Sequence, residues 1–225
     1  MIQLQAVLFD LDGTLLDTAP DFFVVVNQLC QRHGWPQQDY ASVRNTVSHG
    51  SRALITLISG VEPDAPHFES LRNELLALYI DHIAVKTTFF DGMENVLNWL
   101  ESENIHWGIV TNKPRLYTEL LLAQLQLAQR CGTVVCPDDV SATKPDPEPL
   151  FLACQQLNIT PASSLYVGDH RRDIEAGQRA GMQTVAANYG YIDHSDPAHS
   201  WGANYLVEHA SELLPLLQNK QLFSL

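Results

Sequence analysis

Two carboxylates, Asp10 and Asp12, stand on either side of one leucine near the start of the chain. They directly follow an apolar run, Ala6 to Phe9, that has no polar face. Such a run is typical of a strand buried on both sides in the middle of a parallel sheet. Carboxylates this close repel each other unless a cation or a proton relieves them. The pair therefore indicates a cation-dependent site or, as the simpler alternative, a strand that ends in an acidic turn.

Polar candidates also follow the later predicted strands, at or just after the point where each strand ends. They are Thr111 and Asn112, then Lys144 in a loop, then Asp169 with Asp173 four residues further on. Ligand sites of open α/β sheets lie beyond the carboxyl ends of the strands, so we expect these side chains to come together. Any one of them could be an ordinary turn or helix cap, but chance hardly produces the whole set.

The charge of the chain limits what it can bind. Acidic residues outnumber basic ones by 26 to 13, and the formal net charge is −13. Such a surface repels nucleic acids and anionic membranes, so we expect neither as a partner. An acidic protein that handles an anionic substrate must place its few cations, or a metal, at the site. The lysines are Lys86, Lys113, Lys144 and Lys220.

Two kinds of segment must position these residues. Residues 18–86 have a helical pattern in which no strand is evident, whereas strands and helices alternate from about residue 87 onward. Alternation of this kind predicts a doubly wound parallel sheet. We therefore predict an α/β fold in which residues 1–17 and 87–225 form the core and residues 18–86 form a small inserted helical cap. The pattern also predicts core helices from Pro114 to about Gln129 and from Ala210 to Leu217.

We expect the protein to work in the cytoplasm. No basic segment precedes an apolar one at the N-terminus, so we expect no signal peptide, and no apolar run is long enough to span a bilayer. The four cysteines are scattered among apolar neighbours. This spacing favours buried thiols over a disulfide or a metal site.

Four short strings resemble the motifs of a known family. They are FDLDGTLLDT at residues 9–18, TNK at 111–113, KPDP at 144–147 and GDHRRD at 168–173. In type and order they closely resemble the four motifs of the haloacid dehalogenase-like (HAD) phosphohydrolases. The chain looks most like the phosphoglycolate phosphatase branch, close to phosphatases of N-acetylmuramic acid 6-phosphate. The resemblance implies a Rossmann-like core that carries the inserted cap.

The resemblance also implies a role for each acid. Asp10 would be the nucleophile that forms an aspartyl-phosphate, and Asp12 the general acid and base. Asp10, the backbone carbonyl of Asp12, and Asp169 would bind Mg²⁺, with Asp173 assisting directly or from behind these ligands. The family's ATPase pumps have Thr at the position of Asp12 and its dehalogenases lack this Asp, so Asp12 favours phosphate-ester chemistry.

Three further residues would handle the phosphate. The resemblance assigns Lys144 to charge stabilisation, the Thr111 hydroxyl to a phosphoryl oxygen, and the Asn112 backbone to a place beside it. The implied reaction is Mg²⁺-dependent hydrolysis of a small phosphomonoester.

Substrate choice would belong to the cap. Its most polar, glycine-broken stretch lies between Arg44 and Arg52, and a corresponding loop in relatives faces the catalytic loops. We expect Arg52 to bind a carboxylate or hydroxyl of the substrate, with Arg44 the next candidate. Phosphoglycolate and N-acetylmuramic acid 6-phosphate both carry a carboxylate, so a cap arginine would serve either.

Other readings stay open at this point. Another sugar-phosphate phosphatase, or a phosphomutase of the β-phosphoglucomutase type, would share all four motifs. A receiver-like phosphate sensor also combines clustered acids, a Thr and a Lys on a parallel sheet. Its phospho-acceptor would not be expected at the end of the first strand, nor would a helical cap follow. The sequence leaves open whether the protein is a monomer or a homodimer.

Overall fold

The computed structural model describes residues 2–224 and contains ten strands within that range. In chain order they are β1 Ile2–Gln3, β2 Ala6–Phe9, β3 Leu16–Asp17, β4 Thr88–Phe89, β5 His106–Val110, β6 Thr133–Val135, β7 Ser164–Gly168, β8 Gln183–Ala187, β9 Tyr205–Val207 and β10 Phe223–Ser224. The α-helices are α1 Ala19–His33, α2 Tyr40–Val47, α3 Gly50–Ser59, α4 Phe68–His82, α5 Met93–Ser102, α6 Arg115–Gln124, α7 Glu148–Leu157, α8 Arg171–Ala180 and α9 Leu213–Leu217.

Six of these strands form one sheet in the order β6-β5-β2-β7-β8-β9, and every neighbouring pair in it is parallel. The first strand of the sheet, β2, lies near its middle, with Ala6 opposite His106 on one side and Ser164 on the other. All four residues of β2 are fully buried, as expected for a strand covered on both faces. The predicted fold class, an α/β protein with a doubly wound parallel sheet, is confirmed.

The chain divides into two compact units. One comprises residues 1–16 and 89–225 and contains the six-stranded sheet; the other comprises residues 17–88 and contains α1 to α4. The predicted core and cap boundaries, at 17/18 and 86/87, lie within two residues of this division. Below, the first is called the sheet unit and the second the helical unit.

A buried acid ties together the two ends of the helical unit. Asp21, near the start of α1, is fully buried and accepts hydrogen bonds from the backbone N–H groups of Lys86 and Thr87 at 2.8 and 3.0 Å. The Thr87 hydroxyl donates a third bond at 2.6 Å. Three donors satisfy a carboxylate that would otherwise be costly to bury. The first helix and the segment after α4 are thereby joined.

Two predicted helices have different limits in the structure. The helix expected to run to about Gln129 ends at Gln124, because Gln126 adopts a φ of +57° and Leu127 N–H turns back to the Leu122 carbonyl at 2.8 Å. That geometry closes a helix and lets Leu127 pack into the core.

The predicted helix from Ala210 to Leu217 is split. A 3₁₀ turn covers Ala210–Glu212, and α9 starts anew at Leu213. The break places Pro215 in the first turn of α9, where its missing N–H leaves no hydrogen bond unmade.

Within residues 2–224, no helix combines the length and the apolar character needed to cross a bilayer. Four free cysteines are present, of which Cys30, Cys136 and Cys154 are buried and Cys131 is half-buried.

Candidate active site

Asp10 follows the last residue of β2 and is almost completely buried. Its backbone N–H donates to the Val167 carbonyl at 2.9 Å, so the sheet ladder still holds the residue in place. The next residues form a tight turn, in which Leu16 N–H donates to the Leu11 carbonyl and Gly13 N–H to the Leu16 carbonyl, both at 2.9 Å. The turn keeps Asp10 and Asp12 at the carboxyl end of a central strand.

Three carboxylates come together at this edge of the sheet. Asp10, Asp169 and Asp173 are buried, and each offers an oxygen within 4.8 Å of those of the other two. Asp169 directly follows β7, the neighbour of β2, and Asp173 lies in the first turn of α8. The sequence predicted this grouping, because all three residues stand at or just beyond strand ends.

Among the three carboxyl groups, that of Asp169 is the most costly to ionise. Burial, and then the neighbouring charges of Asp10 and Asp173, raise the pKa of Asp169 to about 7. Its two hydrogen-bond donors, the Tyr191 N–H at 2.8 Å and the Thr14 hydroxyl at 2.9 Å, only partly offset this. An added cation would remove the repulsion, so the three oxygens are suited to a hard divalent metal ion.

Lys144 supplies the positive charge on the other side of the cluster. Its ammonium is fully buried and lies 2.9 Å from Asp10 Oδ1 and 2.7 Å from Asp173 Oδ1. It also donates to the Val110 carbonyl at 2.9 Å and to the Tyr166 hydroxyl at 2.8 Å. These contacts fix the ammonium directly against Asp10.

The charges in the cluster shift the pKa values of the two acids beside Lys144 in opposite directions. Burial alone would raise the pKa of Asp10, but the charges of Lys144 and Arg172 outweigh burial and hold that pKa below its ordinary value. For Asp173, burial dominates and the pKa is raised, although Lys144 opposes the shift. Asp10 is therefore held as a carboxylate, the form that can attack an electrophile.

Two glycines allow the backbone to approach Asp169 closely. Gly13 has a φ of +83°, and a Cβ there would lie 2.1 Å from Asp169 Oδ2. A Cβ at Gly190 would lie 2.2 Å from the Asp169 Cβ. Any side chain at either position would displace the carboxylate, so the space around Asp169 depends on both glycines.

Thr111 and Asn112, at the end of β5, belong to the same edge of the sheet. Thr111 is buried, and its hydroxyl accepts a hydrogen bond from Lys113 N–H at 3.1 Å. The Asn112 side-chain amide donates to the Lys144 carbonyl at 3.0 Å and so joins the second motif to the third. The sheet unit thus brings Asp10, Asp12, Thr111, Asn112, Lys144, Asp169 and Asp173 to one edge of the sheet.

Sequence reasoning did not single out several residues that surround the site. Lys113 forms an ion pair with Asp12, with Nζ 2.8 Å from Oδ1. Tyr166 contacts Lys144, and Thr14 and Tyr191 donate to Asp169. Among these residues, Lys113 is the one that a sequence feature could have identified, because it follows Asn112 at a strand end in a chain with few lysines.

Arg52 lies on α3 in the helical unit. Its guanidinium is 3.4 Å from Glu69 and 5.4 Å from the centre of the Phe68 ring, and its side chain is 54% exposed. Exposed ion pairs of this kind contribute little free energy, so the contact with Glu69 holds the Arg52 side chain only weakly. Its contact with substrate stays a prediction.

A family model described as haloacid dehalogenase-like hydrolase matches residues 7–187, which is most of the chain. The chain belongs to the haloacid dehalogenase-like hydrolases. The match contains all four strings that carry the predicted HAD motifs. The predicted membership is therefore confirmed.

Relatives of this HAD-like chain cover almost its full length. It is 47% identical over 217 residues to the N-acetylmuramic acid 6-phosphate phosphatase of Pseudomonas aeruginosa, covering 96% of each chain. It is 42% identical over 209 residues to the phosphoglycolate phosphatase of Xanthomonas campestris, covering 93% of this chain and 94% of the relative.

The fold also matches solved structures. One is a predicted phosphoglycolate phosphatase from Haemophilus somnus, with a TM-score of 0.85 and coverage of 96% of this chain and 99% of the other. The two chains are 22% identical, so this likeness concerns the fold alone.

The repulsion at Asp169 predicts a gain in stability when its charge is removed. A carboxyl with a raised folded-state pKa contributes stability that is present below about pH 4 and lost as the pH rises through about 7. Asn cannot ionise, so in EDTA at pH 8 Asp169→Asn should be more stable than the wild type by about 1–3 kcal/mol. Thermal unfolding of both proteins between pH 4 and 8 measures this difference.

Mg²⁺ provides the second half of that test. It should raise the melting temperature of the wild type at pH 8 and leave Asp169→Asn nearly unchanged. Asp64→Asn, an exposed acid in the helical unit, is the matched control and should behave as the wild type does. An Asp169→Asn variant that is no more stable in EDTA, or that responds to Mg²⁺ fully, would contradict the electrostatic account.

Proposed function

We propose that this protein hydrolyses a small phosphomonoester through a covalent aspartyl-phosphate on Asp10. The observation that carries the proposal is the ion pair between the buried Asp10 carboxylate and the fully buried Lys144 ammonium, at 2.9 Å and beside two further carboxylates. A carboxylate held ionised at a strand end, in a member of a hydrolase family, is suited to nucleophilic attack. The relatives of this chain described above are named as phosphatases.

For the substrate, we propose N-acetylmuramic acid 6-phosphate first and phosphoglycolate second. The relative named for the former is 47% identical to this chain, and the one named for the latter is 42% identical. Both compounds combine a phosphate monoester with a carboxylate. A site for either therefore needs one group for each anion.

We propose Mg²⁺ as the metal. The ligands would be oxygens of Asp10 and Asp169 and the backbone carbonyl of Asp12, with Asp173 binding directly or holding the site from behind. The oxygen-only donor set and the raised pKa of Asp169, caused by burial and by Asp10 and Asp173, fit a hard dication. When bound, the ion would neutralise phosphate charge and so lower the barrier to attack by an anion.

The first half-reaction forms the aspartyl-phosphate. An Asp10 carboxylate oxygen attacks phosphorus, the bond from phosphorus to the ester oxygen breaks, and Asp12 gives its proton to the departing oxygen. Lys144 stays beside Asp10 and offsets charge on the transferring group. Thr111 and the Asn112 backbone would hold phosphoryl oxygens from the neighbouring strand end.

The second half-reaction restores the protein. A water molecule attacks the phosphorus of the aspartyl-phosphate, and Asp12, now a carboxylate, takes the water proton. The bond between phosphorus and the Asp10 oxygen breaks, which releases phosphate and returns Asp10 to its ionised form. Asp12 thus serves as acid in one step and as base in the next.

We also propose that the helical unit acts as a cap and that the protein works in the cytoplasm on a small molecule. Support for a reducing compartment comes from the four free thiols. Burial raises the pKa of the Cys131 thiol to about 12, which makes it slow to oxidise.

Asp10→Asn should abolish phosphate release while the protein stays folded. The amide is nearly isosteric with the carboxylate but is a poor nucleophile and a weaker metal ligand. The measurement is phosphate release from N-acetylmuramic acid 6-phosphate, phosphoglycolate and a panel of other phosphomonoesters. Asp64→Asn, an exposed acid, is the control and should keep full activity. More than a few per cent of wild-type turnover in Asp10→Asn would exclude Asp10 as the nucleophile.

Arg52→Ala should impair hydrolysis of carboxylate-bearing substrates far more than that of an aryl phosphate. Loss of a charge-assisted contact in a closed site costs about 2–5 kcal/mol, or roughly thirtyfold or more in kcat/KM. An aryl phosphate has no carboxylate and should lose little. Steady-state kinetics on phosphoglycolate and p-nitrophenyl phosphate give the comparison.

The matched control is Arg72→Ala. Arg72 also pairs with Glu69, at 2.9 Å, and donates to the Ser51 hydroxyl at 3.0 Å, so it shares the surroundings of Arg52. It should affect both substrates equally or neither. Equal losses in Arg52→Ala on both substrates would assign Arg52 to the structure of the helical unit, and no loss would leave Arg44 to be tested.

A further inference from the structure

Lys113 is a half-buried lysine of the sheet unit, and it pairs with a different acid from Lys144. Its side chain is only 7% exposed, and its Nζ lies 2.8 Å from Asp12 Oδ1. An ammonium removed from water to this extent requires a nearby counter-charge. Lys86 and Lys220, by contrast, are exposed.

The backbone of Lys113 is fixed on both sides. Its N–H donates to the Thr111 hydroxyl at 3.1 Å, and its carbonyl accepts from the Thr118 hydroxyl at 3.2 Å. Thr118 is itself fully buried in α6. Lys113 therefore extends from a fixed strand end, and the ion pair with Asp12 has only the torsions of the lysine side chain left to restrain.

We propose that Lys113 is a positioning residue that holds the Asp12 carboxyl group, protonated before the first step and ionised before the second, in the direction needed for proton transfer. The proposal rests on the proposed function, in which Asp12 is the acid and base. Asp12 is more exposed than the acids around it, with 18% of its side chain accessible. A short carboxylate side chain at that position can turn about two bonds, and a salt bridge to a fixed ammonium restrains both.

The two lysines thus contact different acids of the site. Lys144 contacts Asp10 and Asp173, which handle phosphorus and the metal, whereas Lys113 contacts the acid that exchanges protons. In the first step the proton moves from Asp12 to the ester oxygen as the phosphorus–oxygen bond breaks. In the second step a proton moves from water to Asp12 as water binds phosphorus and Asp10 is released. Both transfers demand an aligned carboxylate.

Lys113→Met tests this with three substrates that separate the possible roles. Phosphoglycolate has an alkyl leaving group and a carboxylate, glycerol 2-phosphate has an alkyl leaving group without a carboxylate, and p-nitrophenyl phosphate has a leaving group that departs without a proton. Because kcat/KM reports the steps up to aspartyl-phosphate formation, it isolates the first proton transfer.

We expect kcat/KM to fall about tenfold to a hundredfold for both alkyl phosphates and to change less than about threefold for p-nitrophenyl phosphate. The kcat for p-nitrophenyl phosphate should still fall, because hydrolysis of the aspartyl-phosphate also uses Asp12. A loss confined to phosphoglycolate would make Lys113 a carboxylate-binding residue and overturn the proposal. Equal losses in kcat/KM on all three, or none, would overturn it as well.

Two further variants keep the test independent of folding. Lys113→Arg can retain the ion pair and should recover part of the alkyl-phosphate activity; a folded Lys113→Arg as impaired as Lys113→Met would contradict the ion-pair role. Lys220→Met removes an exposed lysine and should match the wild type. A wild-type protein without any phosphatase activity would refute the proposed function itself. That result differs from an active wild type in which Lys113→Met changes nothing, which would refute only the role of Lys113.

Discussion

Repulsion among three buried carboxylates is the constraint on which the rest of this site depends. Asp10, Asp169 and Asp173 offer oxygens within 4.8 Å of one another, away from water that would screen their charges. Lys144 offsets part of this repulsion from one side, where it contacts Asp10 and Asp173. The raised pKa of Asp169, which follows from burial and from the other two acids, marks the side that remains uncompensated. That imbalance favours a divalent cation at the site.

The sheet makes so unfavourable a grouping possible. β2 and β7 are adjacent and central, and Phe9 lies opposite Val167, so Asp10 and Asp169 leave the sheet side by side. The first turn of α8 then brings Asp173 back to the same edge, where its carboxylate accepts a bond from His170 N–H at 3.0 Å. Gly13 and Gly190 leave the room that Asp169 occupies. The fold thereby gives up some stability to hold the charges that chemistry requires.

Much of this could be predicted from the sequence, because the informative signals are local. The apolar run before Asp10 identified a central strand, and the alternation after residue 87 identified the parallel sheet. The acids at strand ends could be grouped because parallel strands end at one edge. The C-terminal end of α6 and the split before α9 were missed, since a left-handed Gln126 and the first-turn place of Pro215 depend on local geometry that periodicity does not register.

Contacts between distant residues could not be predicted in the same way. Lys113 and Asp12 are 101 residues apart, and Tyr166 and Lys144 are 22 apart, so their pairing depends on strand register and side-chain direction. A lysine next to Asn112 suggested a cation near the site but not which acid it meets. The role of Arg52 also stays a prediction, because its contacts within the helical unit, Glu69 and Phe68, do not identify a ligand.

The most direct test of the account is chemical identification of the phosphorylated side chain. Protein quenched in acid during turnover of the preferred phosphomonoester is treated with borohydride, which reduces an aspartyl-phosphate to homoserine, and its peptides are sequenced by mass spectrometry. We predict homoserine at position 10 and unmodified aspartate at positions 12, 169 and 173. Reduction at one of those three acids instead, or turnover with no reducible carboxyl phosphate at any time, would contradict the central claim.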